Sequence, residues 1–175
     1  MGSTSVIEGN ECLMRRLTTE DLDQFSKLVT DPLYGKFSPF GKMSQEFAIK
    51  SAKHIISNYE IDRYEFLVVI DKKDQTLAGF VGYHPVMFNK SLQYMFFVGF
   101  HTKYWGTNIP GQATRLICNY AFNTLSRLII FVHPDDTTAL MTVQCVEARF
   151  ERETLYFGAK LFLFVAEKRS PVVIQ

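Results

Sequence analysis

Apolar residues in this chain follow two rhythms, one that suits strands and one that suits helices, and their succession lays out a single mixed domain. CLMRRL (12–17) reads as a first strand. Thr18 and Thr19 then stand as N-caps, with Glu20 and Asp21 in the first turn and Leu22, Phe25, Leu28 and Val29 on one helical face. DPLYGKFSPFGKM (31–43) is an aromatic-rich loop with two prolines and two glycines. Ser44 caps a second helix, on which Ala48, Ala52, Ile55, Ile56 and Tyr59 form an apolar stripe. Three strands follow: the continuous run EFLVVID (65–71), the alternating TLAGFVGYHPV (76–86) that breaks at Pro85, and SLQYMFFVGF (91–100). The last is so apolar that both of its faces must be covered. Asn89-Lys90 fits a hairpin turn between the second and third of these. Ala113, Leu116, Ile117, Tyr120 and Ala121 mark a third helix, and RLIIFVH (127–133) a strand ended by PDDTT. The threonines and valine of 137–147 predict a weak helix, and ERETLYF and KLFLFVAEK flank Gly158 as a closing hairpin.

The predicted order is strand, two helices, three strands, helix, strand, helix, two strands. That order implies the α/β class: a single-domain, mixed, mostly antiparallel twisted sheet of six to seven strands flanked by about four helices. One helix connects two strands that can lie parallel. With 175 residues, no internal repeat and no linker, the expected division is a tail at 1–11, one domain at 12–168 and a tail at 169–175. Sixteen Phe and eight Tyr add to this picture an aromatic-rich sheet or a lined cleft. The net charge of +1, without a basic block, argues against nucleic acid as partner. Cys12, Cys118 and Cys145 are odd in number and far apart, so neither a disulfide framework nor a metal site is expected, and a reducing cytoplasm is the natural setting. No apolar run is long enough to cross a bilayer, and the N-terminus does not read as a secretory signal, so no membrane partner is expected. The pattern leaves monomer and homodimer both open.

The stretch KYWGTNIPGQA (103–113) lies where a strand-like run gives way to a helix-like one. Such a junction presents free backbone N–H groups at the positive end of a helix, which suits a phosphate or pyrophosphate. Gly106 allows close backbone approach, Asn108 tolerates unusual dihedrals, and Pro110 fits a first helical turn while removing one donor. A plain connector with proline at its helix start has the same local signature.

Order and motifs together resemble the GCN5-related N-acetyltransferase (GNAT) superfamily over residues 12–168, and within it the branch that acetylates ribosomal-protein N-termini. The resemblance rests on YWGTNIPGQA followed by TRLICNYAF, on the entry MRRLTTEDLDQFSKLVTDP and on TLAGFVGY. It implies acetyl-coenzyme A as cosubstrate, with the pyrophosphate on the loop at Gly106, Thr107, Asn108, Gly111 and Gln112. It also implies pantetheine between two splayed parallel strands, 91–100 and 127–133, with Val98 and Phe100 on the first. The implied activity is N-acetyl transfer to a primary amine, either a protein N-terminus or a small amine, directly in a ternary complex. Several positions differ from the family pattern. Asn108 stands for the second motif glycine, Pro110 for the next small residue, and Arg149 for a later glycine. A family serine matches Ala139 or Met141, and the position of an early strand acid falls at Gln93 or Met95. These differences motivate an alternative, a catalytically degenerate protein of this fold that acts as a coenzyme A-binding or protein-interaction module.

No catalytic motif stands out beside the resemblance. His133 ends its strand where it can face a cleft and take a proton, or simply bond a backbone group; His101 has the same status. Asp136 is the other catalytic candidate, and Asp135 and Asp136 also suit helix capping. Thr142 and Cys145 lie on the weak helix, Tyr156 on a strand, and Trp105 is expected to pack beneath the loop. Tyr34, Phe37 and Phe40 occupy the loop that shapes the acceptor site in the resembling family, and either line that pocket or pack on the core.

Overall fold

The structure is a computed structural model of the chain and describes residues 6–37, 41–61 and 63–169. Phe40, one of the acceptor-site candidates, lies outside the described residues, as does the tail from 170 onward. The strands are β1 (Ile7–Glu8), β2 (Cys12–Arg16), β3 (Glu65–Asp71), β4 (Leu77–Phe88), β5 (Ser91–Phe100), β6 (Arg127–Val132), β7 (Arg149–Tyr156) and β8 (Ala159–Glu167). The helices are α1 (Leu22–Thr30), α2 (Pro32–Gly35), α3 (Gln45–Ser57), α4 (Asn108–Ala121) and α5 (Thr137–Cys145), with short 3-10 turns at Thr19–Asp21 and Thr102–Tyr104. All eight strands join one sheet in the order β1-β2-β3-β4-β5-β6-β8-β7, and only β5 and β6 pair in parallel. Among the described residues no helix is long and apolar enough to cross a membrane.

Each face of the sheet has its own core, and β3 contributes to both by simple alternation. Leu67 and Val69 join Ile109, Ala113, Ile117 and Ala121 of α4 on one face, with Val143 of α5. Phe66, Val68 and Ile70 meet Phe25, Leu28 and Val29 of α1 and Ala48 and Ala52 of α3 on the other. The helices α1 and α3 cover only the β2–β4 half of their face, so the β6–β8–β7 half is left for aromatic side chains.

The structure adds one strand and one helix to the pattern read from the sequence. β1 has two residues, too few for any periodicity, and lies in the stretch expected as a tail; Ile7 pairs with Met14 and Glu8 with Leu13. α2 has four residues inside the expected loop, opened by Pro32 and by Asp31, whose side chain accepts from Leu33 N–H at 2.8 Å. Pro85, expected to end its strand, sits inside β4 opposite Tyr94. The β3 ladder stops at Tyr83, so the donorless nitrogen faces a side with no partner strand. Asn89 and Lys90 have φ of 49° and 62°, the left-handed pair that closes a two-residue hairpin.

The entry to α1 is fixed by one buried carboxylate. Asp21, 4% exposed, accepts from Arg15 through both oxygens at 2.8 and 2.9 Å and from Thr18 N–H at 2.9 Å. Burial works to raise its pKa, but Arg15 and Thr18 outweigh that and hold the carboxyl below its ordinary value of 3.8. A depressed carboxyl contributes stability that is complete above its unfolded pKa and is lost as pH falls through the folded one. We therefore expect Asp21→Asn to cost about 2 kcal/mol at pH 7 and progressively less below pH ~4. Urea unfolding of both proteins at pH 7 and pH 3 measures this, and an equal difference at both pH values would contradict it.

Candidate functional site

The site begins with an interruption in the sheet. β5 and β6 share a single paired position, Met95 opposite Ile129, and then part. β5 is occupied on its other side by β4, from Phe88 opposite Ser91 to Gly79 opposite Phe100, and β6 by β8 from Arg127 to Val132. Neither strand can swing inward to close the gap without breaking its own ladder. His101 N–H donates to Ala78 O on the β4 side at 2.9 Å. N–H groups alternate sides along a strand, so those of Val98 and Phe100 point away from β4 and into the gap. The Phe100 carbonyl, on the same side, accepts from Trp105 Nε1–H at 3.2 Å. Val98 and Phe100 thus offer backbone groups that no strand uses.

The gap opens into a cleft of about 280 Å³ that passes through the sheet. On the α4/α5 face its wall includes Val98, Ile130, Val132, Ala139 and Thr142. On the opposite face it includes Tyr34 and Phe37 from α2 and the turn after it, and Phe97, Phe131, Tyr156 and Leu161 from the strands. A narrower extension of about 80 Å³ shares Tyr34, Phe37, Val98, Asp136, Ala139 and Thr142 and runs to Trp105 and Pro110 at the start of α4. Gly99 makes this arrangement possible: a Cβ there would stand 2.6 Å from Tyr34 Cε2 and 2.5 Å from Phe80 Cζ. The Tyr34 ring takes that space and packs edge-on to Phe80, with centroids 5.9 Å apart.

At the far end of the extension, α4 starts without a side-chain cap. Thr107, at the capping position, turns its hydroxyl back to donate to Tyr104 O at 2.8 Å. The N–H groups of Gly106, Asn108 and Ile109 have no acceptor among the described residues. Gly106 holds φ of +81° with open space where a side chain would project, so backbone is reachable from outside. Three donors at the positive end of a fourteen-residue helix suit a phosphate.

The side chains of two loop candidates point elsewhere. Asn108 Nδ2 donates to Glu11 Oε1 at 3.2 Å, and Gln112 Oε1 accepts from Glu11 N–H at 3.0 Å, so both tie α4 to the segment between β1 and β2. Gly111 faces α5, where a Cβ would stand 3.4 Å from Cys145 Sγ and 3.5 Å from Arg115 Nη1. Trp105, expected beneath the loop, is instead 39% exposed and walls the extension. Its indole is drawn there by the unpaired Phe100 carbonyl, a partner that exists only because the strands part.

Polar side chains in the cleft are few. His133 stacks obliquely on Phe37, centroids 5.2 Å apart, and its Nδ1 accepts from Asp135 N–H at 3.1 Å. A neutral ring in that bond carries its proton on Nε2 and meets the cleft as a donor. Asp136 accepts from Ala139 N–H at 2.9 Å as the cap of α5. Thr142, whose hydroxyl returns to Thr138 O at 3.0 Å, lines both parts of the cleft, whereas Met141 is 63% exposed. Tyr34 has no hydrogen-bond partner among the described residues, and burial pushes its hydroxyl pKa up. Tyr156 is raised in the same way. His101 does not line the cleft. A separate hollow of about 390 Å³ lies beyond α4 and α5, among Arg115, Cys118, Cys145 and Lys168.

The family model of the acetyltransferase (GNAT) domain matches residues 12–143. No curated protein matches the chain. Among solved structures, an acetyltransferase from Agrobacterium tumefaciens aligns with a TM-score of 0.81 at 13% identity, covering 96% of this chain and 97% of that one. An acetyl transferase from Salmonella typhimurium that modifies the N-terminal serine of ribosomal protein L7/L12 aligns at 0.78 and 14% identity, covering 94% and 100%. Mycobacterium smegmatis RimJ in complex with CoA-disulfide aligns at 0.74 and 16% identity, covering 94% and 84%. At these identities the structural likeness is one of fold.

The Gly99–Tyr34 contact predicts that Gly99→Ala is destabilising by about 1–3 kcal/mol, because the added methyl meets two rings in a packed face. Thermal unfolding measures the change. Pairing Gly99→Ala with Tyr34→Ala should recover part of the loss, and a strictly additive double variant would place the clash elsewhere.

Proposed function

The chain belongs to the acetyltransferase (GNAT) family, and we propose that it moves the acetyl group of acetyl-coenzyme A directly to a primary amine within a ternary complex. The observation that carries this reading is a set of backbone donors without acceptors among the described residues, placed along the cleft and beside its extension. Gly106, Asn108 and Ile109 lie at the outer end of the extension, and Val98 and Phe100 in the gap between β5 and β6.

The coenzyme, when bound, supplies an activated thioester; the remaining tasks fall to the chain. N–H groups at the start of α4 hold the pyrophosphate. Val98 offers its N–H and C=O to the pantetheine amides as a missing neighbour strand would, and an N–H of β5 polarises the thioester carbonyl. The attacking amine forms a bond to the carbonyl carbon, the C–S bond breaks, the thiolate takes a proton, and the proton shed by the new amide nitrogen restores the donor, so none is gained or lost overall. We assign that donation to Tyr34, which lines both parts of the cleft and whose hydroxyl no other group engages among the described residues. His133 and Asp136, the candidates from the sequence, take lesser parts, His133 as an Nε2–H donor at the rim and Asp136 as the α5 cap. No cysteine or serine lines the cleft among the described residues, and burial pushes the Cys118 thiol up to about 12. Direct transfer therefore fits better than an acyl-enzyme. Free cysteines at 12, 118 and 145 suit a reducing compartment, and we place the enzyme in the cytoplasm.

Two sets of variants test the reading. Gly106 has open space where a side chain would project, and Asn and Asp bear its positive φ alike, so Gly106→Asn and Gly106→Asp share any strain and differ in charge. Calorimetric titration should give Gly106→Asp an acetyl-coenzyme A affinity at least about tenfold below that of Gly106→Asn. Equal affinity in the two would remove the phosphate from this end of α4. Tyr34→Phe should lower kcat about a hundredfold at nearly unchanged acetyl-coenzyme A affinity. An unchanged kcat would assign the proton to another donor.

A further inference from the structure

We propose that the acceptor is a primary amine carried on an aromatic body, without a second positive charge. The inference rests on the acetyl-transfer reading of the cleft and concerns its side away from α4 and α5. That side is walled by Tyr34, Phe37, Phe97, Phe131, Tyr156 and Leu161. The rings continue outward from the wall as a connected surface. Phe131 stacks on Tyr156 with centroids 4.3 Å apart at 11°, and Phe88 meets Phe131 edge-on at 5.2 Å. A flat ring laid on such a surface gains both burial and the offset or edge contacts that aromatic pairs prefer, whereas a saturated ring of equal size gains only burial.

The charges point the same way. Asp136 is the only carboxylate in the wall among the described residues, and while one oxygen caps α5 through the Ala139 N–H it keeps its single charge. Asp135, beside His133, is 82% exposed and faces solvent, where it is screened. Two cations stand against rings of this surface: Lys36 Nζ lies 5.0 Å from the Phe37 centroid and the Arg152 guanidinium 6.0 Å from that of Phe88, the latter also near Glu151. One carboxylate and the ring faces can accompany one positive charge, and nothing else in the wall compensates a second among the described residues. One ammonium can shed its proton on entering an apolar site, because desolvation favours the neutral form, and the neutral amine is the form that attacks. His133, whose Nδ1 is engaged, adds no free base that would draw an ammonium in. A second ammonium on the same molecule would be buried or held against Lys36 and Arg152, and this excludes polyamines and lysine-rich segments as good acceptors.

The test uses the full chain, acetyl-coenzyme A and three amines: 2-phenylethylamine, its saturated counterpart 2-cyclohexylethylamine, and spermidine. Thiol release should give 2-phenylethylamine a kcat/KM about three- to tenfold above the cyclohexyl compound and at least about a hundredfold above spermidine. Phe131→Leu should bring the phenyl-to-cyclohexyl ratio toward one while acetyl-coenzyme A still binds. Spermidine as the equal or better substrate overturns the proposal, as does a phenyl-to-cyclohexyl ratio near one in wild type or one unmoved by Phe131→Leu. Acetyl-coenzyme A binding without turnover of any of the three also overturns it and leaves the acetyl-transfer reading standing. Absence of acetyl-coenzyme A binding is a separate result, which removes that reading and the inference with it.

Discussion

A parallel strand pair normally engages every second backbone group of each strand, and β5 and β6 abandon that arrangement after Met95 and Ile129. The separation leaves N–H and C=O groups of Val98 and Phe100 without strand partners. A buried unpaired backbone group costs about 1–3 kcal/mol, so an open seam persists only where something else enforces it. Here the enforcement is lateral. β4 and β8 hold the two strands through complete antiparallel ladders, and the Tyr34 ring lies over Gly99 on one side of the seam. The sheet thus stores accessible backbone polarity in its middle, where a substrate can complete the hydrogen bonding that a neighbouring strand would have supplied. The Trp105 indole already does so for the Phe100 carbonyl.

That seam also explains which parts of the molecule were readable in the sequence. The long elements follow their periodicity: α3 carries Ala48 and Ala52 inward under its Ser44 cap, and β3 sends alternate residues to the two cores. Short elements escape because their cause is not periodic. β1 exists because Ile7 finds Met14 across a turn, and α2 because Asp31 and Pro32 set a single turn. The backbone geometry of the candidate site was legible at Gly106 and at the strand end 98–100, since glycine and chain order signal backbone geometry. Side-chain roles were less legible. Nothing local marks Asn108 and Gln112 as partners of Glu11, about a hundred positions away, or brings Phe131, Tyr156 and Phe88 into one surface. Those relations depend on strand order, which places β8 between β6 and β7.

The substitutions that make the phosphate loop look degenerate bear differently once each atom has a place. A phosphate at a helix start is held by main-chain N–H groups, and Asn108 retains its own while its side chain anchors the turn to Glu11. Pro110 removes a donor at the third helical position, but the N–H groups of Gly106 and Ile109, which precede it, have no acceptor among the described residues. The serine absent from α5 is a different matter, because a hydroxyl cannot be replaced by backbone. Ala139 stands in the cleft wall at the first of the two aligned positions, and the second, Met141, points out to solvent. Hydroxyls in the cleft wall are those of Thr142, turned back to its own helix, and, from the opposite side of the seam, Tyr156 and Tyr34, the last with no hydrogen-bond partner among the described residues. Changes at this loop therefore leave main-chain donors in place, whereas the change on α5 leaves the cleft wall without a hydroxyl at Ala139. On the proposed reading, the Tyr34 hydroxyl and the aromatic wall come from one side of the seam, so the proton donor and the apolar character of the acceptor site have one structural origin.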